Sequence, residues 1–108
     1  MLEFEQSNPL QVEIMAERVS AYFTRVRKMQ AALAALGQFD RDHERSALSR
    51  VDQRRRAELF AEAAEQVWTF MIQREAMKLP YYEEIFSDFA IPEEVRRKMG
   101  PKNWCLTT

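Results

Sequence analysis

Between Pro9 and Leu36, the apolar residues Val12, Met15, Val19, Tyr22, Val26, Met29, Leu33 and Leu36 recur at alternating spacings of three and four. That alternation is the heptad pattern of a helix that keeps one stripe toward a neighbour along its whole length. It predicts a helix over 9–36, roughly 42 Å long at 1.5 Å per residue. Ser7 or Asn8 can offer a side-chain oxygen to the first free amides, Pro9 suits the first helical position, and Gly37 suits a left-handed exit. Ile14, Phe23, Ala32 and Ala35 widen the apolar surface beyond the strict seam, so the helix is expected to touch more than one neighbour.

A second stripe, Phe60, Ala63, Val67, Phe70 and Met77 with Leu59 and Met71 on its flanks, predicts another helix. It should end near Leu79, because Pro80 has no N–H to donate and disfavours helix at the preceding residue. Its start is ambiguous. Extended backwards at 100° per residue, the apolar face meets Arg56, Asp52, Ser49 and Arg45. The expectation is one long helix over 44–78 whose first turns overhang the core. A connector followed by a helix from about Ser49 is the alternative.

Two short elements follow. In "PYYEEIFSDF", Tyr82, Ile85, Phe86 and Phe89 fall at helical spacing, predicting a helix over 81–88. "IPEEVRRKMGP" predicts another over 92–99, with Glu93 and Glu94 at its positive end and Arg96, Arg97 and Lys98 at its negative end. The fold class is therefore all-α: two long antiparallel helices with two short C-terminal helices folded onto them. Two helices of this length carry wider apolar stripes than the short elements can cover, which predicts a bundle completed by homodimerisation. Trp104, costly to leave in water, is expected to fold back onto the helices or a neighbouring chain.

Composition narrows this picture without changing it. The 108 residues suit one helical domain over 1–108, and 46% hydrophobic residues argue against wholesale disorder. Only 2 Gly and 4 Pro leave too few turn residues for a β-sandwich. No run of about 18 apolar residues occurs, so no membrane span is expected. "MLEFEQSNPL" lacks the apolar stretch of a signal peptide, and the single Cys105 permits no intrachain disulfide. Together these predict a cytoplasmic protein. "CLTT" formally matches a prenylation box, but its threonines fit the pattern poorly and no polybasic run precedes it, so Cys105 reads as an ordinary tail cysteine.

The candidate chemistry is sparse. Arg54, Arg55 and Arg56 would fan across about 200° of a helix and cannot form one patch. Acids nearly match arginines between Asp40 and Glu58, and Asp52–Arg56 and Arg54–Glu58 have the spacing of i,i+4 ion pairs. With 16 basic and 17 acidic residues, the formal net charge of −1 also weighs against nucleic acid as a partner. A helix-turn-helix reading of 80–98 fails similarly, since Glu93 and Glu94 would lead the reading helix toward phosphate.

Arg74 falls on the second apolar stripe, either reaching from the core edge to water, Glu75 or Glu83, or pairing across subunits. His43, the only histidine, cannot build a metal site alone and reads as a surface residue; pairing it with Cys105 as a nucleophilic dyad lacks anything to activate the thiol. No phosphate-binding loop, nucleophile elbow, HExxH or CxxC occurs, so no cofactor or catalytic residue is assigned.

Around "VWTFMIQREAMKL" (67–79) and "FAIPEEVRRKMG" (89–100) the chain resembles a family of small bacterial proteins of unknown function. The resemblance implies a bacterial, cytoplasmic, all-helical protein and carries over no functional residue. The expected function is a non-enzymatic, self-associating helical protein that binds another protein. Its contact surface would be the charged start of the second helix or the groove by Tyr81 and Tyr82. The candidate interface residues are Val12, Met15, Val19, Tyr22, Val26, Arg56, Arg74 and Trp104. The alternative is a small nucleic-acid-associated regulator using Arg54–Arg56 or Arg96–Lys98.

Overall fold

The computed structural model describes residues 9–102. Helices α1 (Pro9–Asp42) and α2 (Arg50–Ala76) are joined through a single 3-10 turn at Arg45–Ala47; the short α3 (Ile85–Asp88) and α4 (Glu93–Lys98) follow. The described residues contain no strand. The long helices are antiparallel. Asp40 meets Arg56, Arg25 meets Gln66 and Tyr22 meets Arg74, so positions along one helix fall as those on the other rise. The predicted expectation of an all-α fold, with two long helices and two short ones, holds.

Several boundaries differ from expectation. Helix α1 runs past Gly37 to Asp42, and neither glycine has a positive φ. The reason is Phe39, 9% exposed, which extends the buried stripe one turn beyond Leu36. The His43 ring stacks on Phe39 with centroids 4.0 Å apart, and its Nδ1 lies 2.9 Å from the Phe39 carbonyl oxygen. That contact supplies a hydrogen bond to one of the carbonyls the helix end leaves open. The postulated caps Ser7 and Asn8 lie outside the described residues.

Helix α2 does not begin at 44. Ser49 caps it, its hydroxyl accepting from the Asp52 amide at 3.1 Å, and the Gln53 side-chain amide donates to the Leu48 carbonyl. The alternative boundary is therefore correct, and the first buried residue of α2 is Ala61. At the other end Lys78 adopts φ 58°, with the Leu79 amide donating back to the Arg74 carbonyl at 3.0 Å. Ala90 repeats the motif with φ 53° and a 2.8 Å bond from the Ile91 amide to the Phe86 carbonyl. These are left-handed helix exits, built without the glycine that makes them cheap. Helix α3 is shorter than its predicted span because a turn precedes it, closed by the Ile85 amide on the Tyr82 carbonyl.

The reversal at Lys78–Pro80 sends α3 and α4 back along the hairpin. Val26, Met29, Leu36, Val67, Phe70, Ile85, Phe86, Ile91 and Val95 form the core where three layers meet. Ala61 and Ala64 are fully buried, and the Gly100 amide lies 3.4 Å from the Ala64 carbonyl, so small side chains let the C-terminal segment approach α2. The molecule stays a rod, 64 × 25 × 25 Å, with a radius of gyration of 17.8 Å. A compact chain of this length would have about 13 Å.

Candidate interaction surface

Two arginines fasten the C-terminal segment to the hairpin, and a third ties that segment to itself. Arg56 stands on the core stripe of α2, and its guanidinium spans two carboxylates: Nε and Nη2 donate to Asp40 at 2.8 and 3.0 Å, and Nη2 also donates to Glu94 at 3.1 Å. The side chain is 14% exposed and lies 5.8 Å from the Phe60 ring centroid. This charge-assisted contact holds the Asp40 carboxyl below the usual carboxylate range, outweighing the opposing effect of burial. Arg45 adds a second cation to Glu94 at 3.0 Å. The pairs anticipated from spacing do not form this way: Arg56 turns to Asp40 and Glu94, Asp52 faces His43 at 3.9 Å, and Arg55 meets Glu58 at 3.7 Å.

Arg74 performs the same task at the reversal. Its Nη1 donates to the Tyr22 hydroxyl and its Nη2 to the Pro80 carbonyl, both at 2.9 Å, while its guanidinium lies 5.7 Å from the Tyr82 ring centroid. It therefore meets neither Glu75 nor Glu83, the two partners anticipated for it. Arg96 lies 4.2 Å from the Phe86 ring centroid and donates to Glu83 at 2.9 Å. All three arginines are thus used within the chain.

The two basic clusters are brought together only in part. Arg56, Arg97 and Lys98 line a shallow recess of 660 Å³ with Ala57, Phe60 and Glu94. Arg54 and Arg55 are exposed elsewhere on α2, and Arg96 is turned toward Phe86.

The apolar candidates divide along α1. Tyr22 and Val26 sit in or against the core, whereas Val12, Met15 and Val19 are 58%, 60% and 43% exposed. Every residue from Pro9 to Ala21 is exposed. Arg18 shares a recess with Ala76 and Met77 at the end of α2. Pro9–Glu17 therefore project past α2 by roughly 13 Å at 1.5 Å per residue. Phe23, Tyr81 and Tyr82 add exposed apolar surface at this end of the rod. Beside them lies a 340 Å³ groove lined by Trp68, Met71, Ile72, Arg74, Glu75, Leu79 and Tyr81. Trp104 and Cys105 lie outside the described residues.

Sequence reasoning missed the Asp40–Arg56–Glu94 clasp. Its only advance signal was a cation on an apolar stripe, which demands a buried counter-charge without naming it. The groove beside Trp68 was anticipated only through Tyr81 and Tyr82. Among the described residues no cluster of His, Cys, Asp or Glu could hold a metal ion, and no helix is long and apolar enough to cross a membrane. Comparison with known proteins finds no matching family model, curated protein or solved structure.

Proposed function

We propose that this chain is a non-enzymatic helical protein that self-associates and works by binding another protein. The observation that carries the reading is the exposed seam of α1, where Val12, Met15 and Val19, patterned for burial, are 43–60% exposed. Isolated exposed apolar residues are ordinary, but a contiguous stripe beside an aromatic-lined groove marks an interaction surface. The groove by Trp68, Leu79 and Tyr81 is the place for the second protein, since its walls combine aromatic faces with the polar Arg74 and Glu75. A bacterial, cytoplasmic setting belongs to the same reading, through the resemblance of 67–100. Size-exclusion chromatography with light scattering tests self-association: a dimer is expected, and a monomer at about 10 µM, the range of modest affinity, removes it.

The second reading, nucleic-acid association, has one observation in its favour: Arg97 and Lys98 meet Arg56 around one recess. Against it, Arg56 is already paired with two carboxylates and Glu94 lines the same recess. Titration against duplex DNA at two salt concentrations decides it, because phosphate contacts make affinity fall steeply with salt. No binding at low salt would remove this reading.

A further inference from the structure

We propose that the projecting segment of α1 pairs antiparallel with the same segment of a second copy, across a two-fold axis near Glu17. This rests on the self-association reading and deepens it by assigning the surface, direction and register.

The direction follows from what already occupies the seam. From Tyr22 onward the stripe faces α2, as Tyr22–Arg74 and Arg25–Gln66 show. A parallel partner helix, starting on Val12, would run within three turns into the track held by α2. An antiparallel one runs the other way, off the open end of the rod.

The register follows from the spacing. In antiparallel pairing each first-position heptad residue packs beside a fourth-position residue of the neighbour. Val12 then sits against Tyr22 of the partner subunit, and Met15 against Val19 of the partner subunit. The overlap from 12 to 22 spans about 15 Å at 1.5 Å per residue. It can slide no further inward, because Arg74 already holds Tyr22. Every residue of this overlap is exposed except Tyr22, which is half-buried and also meets Arg74 and Phe70.

The area is adequate. Val12, Met15, Val19, Phe23 and Tyr82 are 37–60% exposed. At roughly 150–250 Å² for each aromatic ring and about 60–120 Å² for each aliphatic side chain, they offer on the order of 300 Å² of apolar surface. A standard interface takes about 800 Å² from each partner, a little over half of it apolar, so these side chains supply most of that share.

Light scattering on the full chain over a concentration series is the test, comparing wild type with Met15→Asp/Val19→Asp. Both positions are exposed in the single chain, so the helical circular dichroism should persist. The expected result is a wild-type dimer and a monomeric variant whose dissociation constant rises by at least 100-fold. A second arm, in a Cys105→Ser background, mixes Met15→Cys chains with Val19→Cys chains and oxidises them. The expected product is the 15–19 cross-link, in preference to either same-position product. A monomeric wild type would overturn the pairing and the self-association reading together. A variant that remains dimeric would overturn the pairing alone, as would same-position cross-links predominating.

Discussion

Helix α1 contains two halves of one heptad stripe that met different fates. Met29 and Leu36 are 0% and 3% exposed, while Met15 and Val12, set by the same spacing, are 60% and 58% exposed. Propensity and composition barely distinguish them; what differs is whether the rest of the chain reaches them. Helix α2 stops at Ala76 and the chain doubles back, so Ile85, Phe86, Ile91 and Val95 cover the half that α2 already lines. Periodicity states which residues can be buried, and the position of a reversal decides which are.

The largest test of this contrast substitutes one residue type on both halves. Met29→Ala, which removes a fully buried side chain, should cost about 2–5 kcal/mol in urea unfolding. Met15→Ala should stay within about 0.5 kcal/mol when measured dilute enough to keep the chain monomeric. Equal costs would show that the projecting half has a partner within the chain.

Next in size is the clasp that holds α4 over the covered half. Arg56→Met should destabilise by about 1–2 kcal/mol, a figure reduced because Asp40 and Glu94 are each about a third exposed and can rehydrate. The effect should depend on pH with a fixed sign. Asp40 titrates below its ordinary value of 3.8 in the folded state, so its contribution is fully present above that value and is lost as pH falls through the lower, folded one. Unfolding of wild type and variant should therefore converge in acid. A gap that widens there would contradict the assignment.

The boundary between the halves gives a smaller effect of opposite sign. Lys78 holds a left-handed conformation that costs a side chain about 1 kcal/mol, so Lys78→Gly should stabilise by up to that amount in thermal unfolding. Smaller still, Gly37 is helical and a Cβ there would meet only the far end of Arg41 at 3.5 Å. Gly37→Ala should therefore gain about 0.5–1 kcal/mol. A loss at Gly37 would mean that α1 bends there in solution.

Much of this was legible in the chain because the two stripes are long and regular. The α1 seam, the Phe60–Phe70 face and the segment around Ile85 and Val95 all lie where periodicity put them. The boundaries were less legible for specific reasons. Gly37 and Gly100 are the only glycines, and the left-handed exits fall instead on Lys78 and Ala90, residues that carry no local sign of that conformation. The partners of Arg56 stand 16 and 38 positions away, beyond any local spacing rule. Ala61 and Ala64 passed as ordinary helix formers, although their small size admits the C-terminal segment. The exposed half of α1 looked identical to the buried half, because a pattern records a face and not its neighbour.

Hydrogen exchange of the α1 amides at several protein concentrations tests the divided seam most directly. Amides of 26–36 should be protected at every concentration, whereas those of 12–19 should exchange quickly when dilute and gain protection as concentration rises. Protection of 12–19 that matches 26–36 and ignores concentration would contradict the account, as would the absence of protection at any concentration.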